Sequence, residues 1–263
     1  MKIGLISPIR VLFRFYMPDQ ILAIIPARGG SKSIPRKNIR PLAGHPLIAY
    51  SIAAGLAAKS ITRLIVSTDD DEIAAISRSY GAETPFLRPA EFAQDMTPDL
   101  PVFQHALRFL EEQDGFRPEI IVHIRPTSPL RPPQLIDEAV ALLQTTPDAD
   151  SARGVGVAER TPYKMWRKRD DGFLTPLLTD QSGEAYNMPR QALPTVYWHT
   201  GHIDVMRRAT LLQKNSMSGE RILPMVIESK YCVDIDTADD WTYTEWLLAS
   251  GRVPVIPPRR IEH

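Results

Sequence analysis

Between Ala27 and Asn38 the chain reads Ala-Arg-Gly-Gly-Ser-Lys-Ser-Ile-Pro-Arg-Lys-Asn, two adjacent glycines among the cations Arg28, Lys32, Arg36 and Lys37. Glycines let backbone amides approach a polyphosphate without a Cβ in the way. Cations crowded this closely repel one another unless an anion is bound. Because the segment directly follows the apolar run Ile21-Leu-Ala-Ile-Ile25, an anion site at a strand's end is a better reading than a solvated basic turn. Two named phosphate loops are excluded. Lys32 follows Ser31 rather than the glycine a Walker loop needs, and Pro35 interrupts the helix a dinucleotide fingerprint opens.

A second constellation is Asp234-Ile-Asp236. On a strand this spacing puts both carboxylates on one face, where their repulsion favours a shared Mg²⁺. The alternative is that one of them caps the helix beginning near Thr237, and the two roles are compatible.

The elements that must position these residues follow from periodicity. Ile21–Ile25, Arg63–Ser67 and Glu119–Ile124 read as buried strands. Pro46–Ala58, Asp70–Tyr80, the stretch from Thr97-Pro98 to about Glu112, and Pro132–Gln144 read as helices, with Thr68-Asp69 capping the second and Gly81 closing it. This order predicts an α/β fold, a mostly parallel doubly wound sheet covered by helices. The loops after Ile25, Ser67 and Ile124 leave one sheet edge, where such folds bind ligands. Residues 158–195, rich in proline, glycine and aromatics, break the alternation and read as an excursion. Strands are expected to return at Thr195–His199, His202–Met206 and Ile222–Glu228, before a helix over Thr237–Leu248.

Composition narrows the class. With 263 residues, the chain suits one domain, here 20–250 with the excursion inside it, and a loosely ordered Pro-rich tail over 251–263. Hydrophobic residues make up 43%, enough for a core. Lys+Arg and Asp+Glu both number 31, which argues against nucleic acid or a membrane surface as partner. The single cysteine, Cys232, fits a reducing, cytoplasmic setting. Residues 1–19 read as a dispensable extension, with initiation expected at Met17.

The loop, in the context Ile24–Asn38, resembles the nucleotide-binding segment of the acylneuraminate (CMP-sialic acid) cytidylyltransferases. The likeness continues through Val66-Ser-Thr-Asp69, Leu87-Arg-Pro-Ala-Glu91, Arg125-Pro-Thr-Ser-Pro-Leu-Arg131, Pro189-Arg-Gln-Ala-Leu-Pro194 and Asp234-Ile-Asp-Thr237, in the family's order. Each string is short, and their ordered combination carries the resemblance. It implies an enzyme that joins CTP to a 2-keto sugar acid, sialic or another nonulosonic acid, for cell-surface polysaccharide, with release of pyrophosphate. Such chemistry needs charge neutralisation and in-line positioning more than covalent catalysis.

By the same resemblance, Arg28 and Lys37 are the catalytic cations, Lys37 at the α-phosphate. Ala27, Arg28, Gly29, Ser31, Lys37, Asn38, Asp69 and Arg88 would bind the nucleotide, while Asp234 and Asp236 would hold Mg²⁺. Arg125, Ser128, Arg131, Lys164, Arg190 and Gln191 would bind the acid, a guanidinium such as Arg190 suiting a carboxylate well. The excursion resembles the segment through which family members form homodimers, although Tyr163, Trp166, Phe173 and Tyr186 could equally pack within one chain. The resemblance departs at Arg125, where relatives usually carry Gln, and at His199 and His202, where they are less polar. Two alternatives stay open: the same fold acting on a deoxyoctulosonate or phosphonate, for which Arg125 is apt, and a nucleotide-binding protein without catalysis, which would not require the aspartate pair.

Overall fold

The computed structural model describes residues 20–132, 134–179 and 183–261. The N-terminal extension, with its expected start at Met17, lies outside them. The first strand, β1 (Ile21–Pro26), is followed by the short hairpin β2 (Pro41–Leu42) and β3 (His45–Pro46) and the helix α1 (Leu47–Ala57). Next come β4 (Arg63–Ser67), α2 (Asp71–Ser79), α3 (Asp99–Asp114), β5 (Ile120–His123), α4 (Leu135–Gln144) and β6 (Ser151–Val157). The excursion contains β7 (Trp166–Lys168) and β8 (Leu174–Pro176), and the chain returns through β9 (Tyr197–Arg207), α5 (Arg208–Leu212), β10 (Ile222–Val226) and α6 (Ala238–Ser250).

The main sheet runs β10-β6-β9-β5-β1-β4. β1 pairs in parallel with both β4 and β5, and β10 with β6, whereas β9 is antiparallel to β5 and β6. The expected mostly parallel sheet is what the chain builds. β1 has helices on both faces, which is why its residues are uniformly apolar: Ala23 and Ile25 enter one core, and Leu22 and Ile24 the other, against Phe103 and Leu107 of α3. α1 lies so close to the sheet that a Cβ at Gly55 would stand 2.2 Å from Leu64 Cδ1.

Several boundaries move for physical reasons. The cap of α2 is Asp70, whose carboxylate accepts from the Ile73 amide, and not Thr68 or Asp69. The two strands expected around Gly201 are one continuous strand, β9, because Gly201 adopts φ +72° inside the ladder instead of ending it. The Pro-rich tail is packed where the sequence suggests loose order: Val253 is buried in the main core, and the Ile261 amide donates to Ser79 O at 2.9 Å.

Candidate active site

Beyond the carboxyl ends of β1 and β5 lies a cleft of about 490 Å³, lined by the 31–38 loop, the 92–99 segment, the 123–127 turn and Asp236. The glycine-rich loop forms one wall. The Gly29 amide donates to Asp69 Oδ1 at 3.0 Å, and Asn38 Nδ2 donates to Arg28 O at 3.0 Å, so Asp69 and Asn38 shape the loop from behind and within. Gly29 is closely packed, since a Cβ there would meet Asp70 Oδ2 at 2.7 Å and force that side chain to shift, whereas a Cβ on Gly30 would enter open space. Ala27 is buried, its amide on Ser67 O, and Ser31 lines the cleft.

The four loop cations do not stand unneutralised. Arg36, with φ +55°, turns away to pair with Asp70 and Glu72 at the start of α2 and leaves the cleft. Its hydrogen bond holds Asp70 below the usual carboxylate range. Arg28 and Lys32 both reach Asp95, and Arg28 Nη1 also donates to Gln94 O at 3.0 Å. Lys37 is buried, and its Nζ donates to Ile235 O at 2.8 Å and lies 3.3 Å from Asp236 Oδ1. Each of the four cations thus has a protein partner, so their crowding does not by itself require a bound anion, and a phosphate reaching Arg28 and Lys32 would compete with Asp95.

Asp234 and Asp236 sit in extended chain outside any strand, on either side of Ile235, which is fully buried and tied through its amide to Thr127 O. Asp236 is largely exposed. Asp234 Oδ1 is buried and has no hydrogen-bond partner among the described residues. Neither caps α6. That role belongs to Thr237 and Asp240 in a reciprocal capping box, with Asp240 also accepting from the Asp236 amide. No cluster of three His, Cys, Asp or Glu suited to a metal occurs among the described residues. Asp236 lines the cleft and Asp234 does not; the unsatisfied buried oxygen of Asp234 is the feature that suits a cation, Mg²⁺ being commonly held by one or two carboxylates plus substrate phosphates and water.

The other wall comes from the end of β5. Arg125 lines the cleft, with Nη2 at 3.5 Å from Asp99 Oδ2 in the first turn of α3. Arg88 also lines the cleft, but its guanidinium is buried on Ser67 Oγ at 3.1 Å, Ser67 O and Phe92 O, and burial pushes its pKa down to about 10.

Arg131 takes a different place from the one its motif suggests. It is fully buried, donates to His202 O at 2.9 and 2.6 Å, to Ser51 Oγ and to Arg125 O, and does not line the cleft. Ser128 is buried beneath the cleft, its Oγ near Thr200 O. Lys164, Arg190 and Gln191 are exposed on the excursion, and Arg190 and Gln191 line a separate surface hollow with Val157 and Leu193. Within one chain the structure does not bring these three to the cleft.

His199 pairs with buried Asp204 at 3.1 Å, and Asp204 also holds Arg153. His202 lies in the core, its Nε2 without a hydrogen-bond partner among the described residues. Two groups are missing from the sequence reading. His123 lines the cleft, packs on Phe103, and has neither ring nitrogen paired among the described residues. It stands two residues before Arg125, so strand alternation could have found it. Asp95 carries no local signal, because only the fold brings it onto Arg28 and Lys32.

The chain is similar to known proteins over most of its length. A family model described as "Cytidylyltransferase" matches residues 22–171. The chain is 33% identical over 235 residues to the CMP-N,N'-diacetyllegionaminic acid synthase of Legionella pneumophila, covering 87% of this chain and 96% of that protein. It is 32% identical over 225 residues to the N-acylneuraminate cytidylyltransferase of Escherichia coli, covering 86% of this chain and 51% of that one. The solved structure of CMP:2-keto-3-deoxy-manno-octonic acid synthetase with CTP superposes with a TM-score of 0.65, over 89% of this chain and 100% of that one, at 15% identity, which shows a shared fold.

Proposed function

The chain belongs to the cytidylyltransferase family, and from that premise we propose that it transfers CMP from CTP to a nonulosonic acid of the sialic or legionaminic type. The acid's anomeric oxygen attacks the α-phosphorus, the bond from that phosphorus to the bridging oxygen breaks, pyrophosphate leaves, and the hydroxyl proton passes to solvent.

One observation carries this reading: the buried Lys37 ammonium joins the phosphate loop to the Asp234–Asp236 segment across the cleft. A cation at that junction neutralises charge gathering on a transferring phosphoryl group, where fixed charges act most strongly. Arg28 and Lys32 hold the outer phosphates once these displace Asp95. Asp234 and Asp236 would hold Mg²⁺, which when bound supplies further charge neutralisation on the triphosphate.

The exposed apolar side chains of the excursion support a homodimer. Phe173 is 70% exposed, Leu174 60% and Trp166 42%, large apolar side chains of the excursion that one chain leaves uncovered. Assembly through this arm would give Lys164, Arg190 and Gln191 a neighbouring cleft to reach. No helix among the described residues is long and apolar enough to cross a membrane.

The test is incubation with CTP, Mg²⁺ and a panel of sugar acids while pyrophosphate is measured. Folded protein that releases none with any acid would sink the transferase reading. A concentration-independent monomer mass in sedimentation, with full activity, would remove the dimer.

A further inference from the structure

We propose that Arg125 is the residue of this cleft that receives the acceptor's carboxylate, an inference resting on the cytidylyl-transfer reading above. The cations lining the cleft are Arg28, Lys32, Lys37, Arg88 and Arg125. Arg88 is committed to the oxygens of Ser67 and Phe92, and the three on the loop form the wall that faces the phosphates. Arg125 stands on the opposite wall. It meets Asp99 through one oxygen at 3.5 Å, and its side chain is about one-third exposed. A planar guanidinium held at a single long contact keeps donors for a bidentate partner, which a carboxylate supplies and Asp99 here does not.

The stem of Arg125 packs against the buried Gly201. A Cβ built there would lie 3.5 Å from Arg125 Cδ, 3.3 Å from Ser128 Oγ and 3.5 Å from Asp234 Oδ2. The base of the Arg125 side chain therefore lies near Asp234, while Arg125 itself lines the cleft. The neighbouring His123 adds no rival charge, because burial pushes its imidazole down to about 4 and leaves it neutral at pH 7.

The experiment is steady-state kinetics of R125Q, R125K, D99N and R190Q, with each substrate varied in turn and the other saturating. Losing a charge-assisted bidentate contact predicts a rise in the acid's KM of roughly 10- to 100-fold in R125Q, with a much smaller change for CTP. R125K keeps the charge but not the fork and falls between. D99N frees the guanidinium and lowers the acid's KM. Circular dichroism confirms folding of each variant, and the opposite direction in D99N distinguishes recognition from general damage.

The inference is overturned if R125Q raises the KM for CTP as much as that for the acid. It is equally overturned if R125Q leaves the acid's KM unchanged while R190Q raises it. Absence of pyrophosphate release by the wild type with every acid would instead defeat the underlying reading, so the two failures are distinguishable.

Discussion

Beneath the cleft, Arg131 sets its guanidinium on the carbonyls of His202 and Arg125 and on Ser51 Oγ; at the cleft wall, Arg28 and Lys32 converge on the single carboxylate of Asp95. Both regions are rich in arginine, and both lie within one motif's reach of the same strand ends. They differ in the nature of the partner. A backbone carbonyl is part of the fold and cannot be exchanged without unfolding something. An exposed carboxylate is one anion among those available, and a phosphate can take its place. Burial sharpens the contrast: it pushes Arg131 down to about 9, while the wall cations keep access to solvent. The lesson is that an arginine's partner, more than its motif, separates scaffold from binding group.

The largest expected effect tests the scaffold side. Replacing Arg131 by Met takes both donors from the buried His202 carbonyl and one each from Ser51 Oγ and Arg125 O, the latter keeping Ser51 Oγ as a donor. Such a change costs about 1–3 kcal/mol for each buried acceptor left unsatisfied. Urea unfolding should show that loss, with no selective rise in KM for either substrate in the folded fraction. A stable R131M with a raised KM for the acid alone would return Arg131 to the substrate-binding set that its motif implies.

Lys37 combines both kinds of partner, since it holds Ile235 O and Asp236 together. Lys37→Ala should lower kcat by roughly 10²–10³-fold, the range for removing one preorganised group at a developing charge. CTP affinity by calorimetry should fall far less. Equal losses in both would make Lys37 an ordinary binding cation.

A pH titration compares the two regions as a whole. Burial holds His123 and His202 at about 4, below the ordinary value near 6.5. The unfolded chain then binds more protons than the native one between those values. The stability these neutral rings contribute is complete above about pH 6.5 and is lost as pH falls towards 4. Denaturant midpoints should drop over that window, and His202→Phe should flatten part of the slope. An unchanged slope would place the titration elsewhere.

How much of this was legible beforehand follows the same division. The short apolar runs of β1, β4 and β5, alternating with helical segments, read as buried parallel strands, and the sheet and its ligand edge follow from that pattern. The reading of the loop as an anion site rests on the two glycines and the cations around them. Asp70 rather than Asp69 as the cap of α2 was not legible, because adjacent aspartates offer identical local chemistry and only the loop's need for Asp69 at Gly29 decides between them. Arg131 was misplaced because its partner His202 is 71 residues away. Asp95 was invisible because carboxylates on a proline-flanked turn are ordinary until a fold sets them against two cations. Local pattern reports periodicity and backbone freedom; it carries no record of which distant carbonyl or carboxylate a charged group will meet.

The smallest effect is the most direct probe of exchangeable partners. Asp95 is exposed, and its hydrogen bond to Lys32, followed by the charges of Lys32 and Arg28, holds it below the usual carboxylate range. Such exposed pairs are screened and individually weak. If Asp95 occupies the place that the outer phosphates take, Asp95→Asn removes a competitor, and both the KM for CTP and the inhibition constant for pyrophosphate should fall by a few-fold. The gain should shrink as ionic strength rises, because screening weakens the pair being removed. If D95N instead weakens CTP binding, Asp95 is holding Arg28 and Lys32 in position rather than competing for them, and the wall would then resemble the scaffold beneath it.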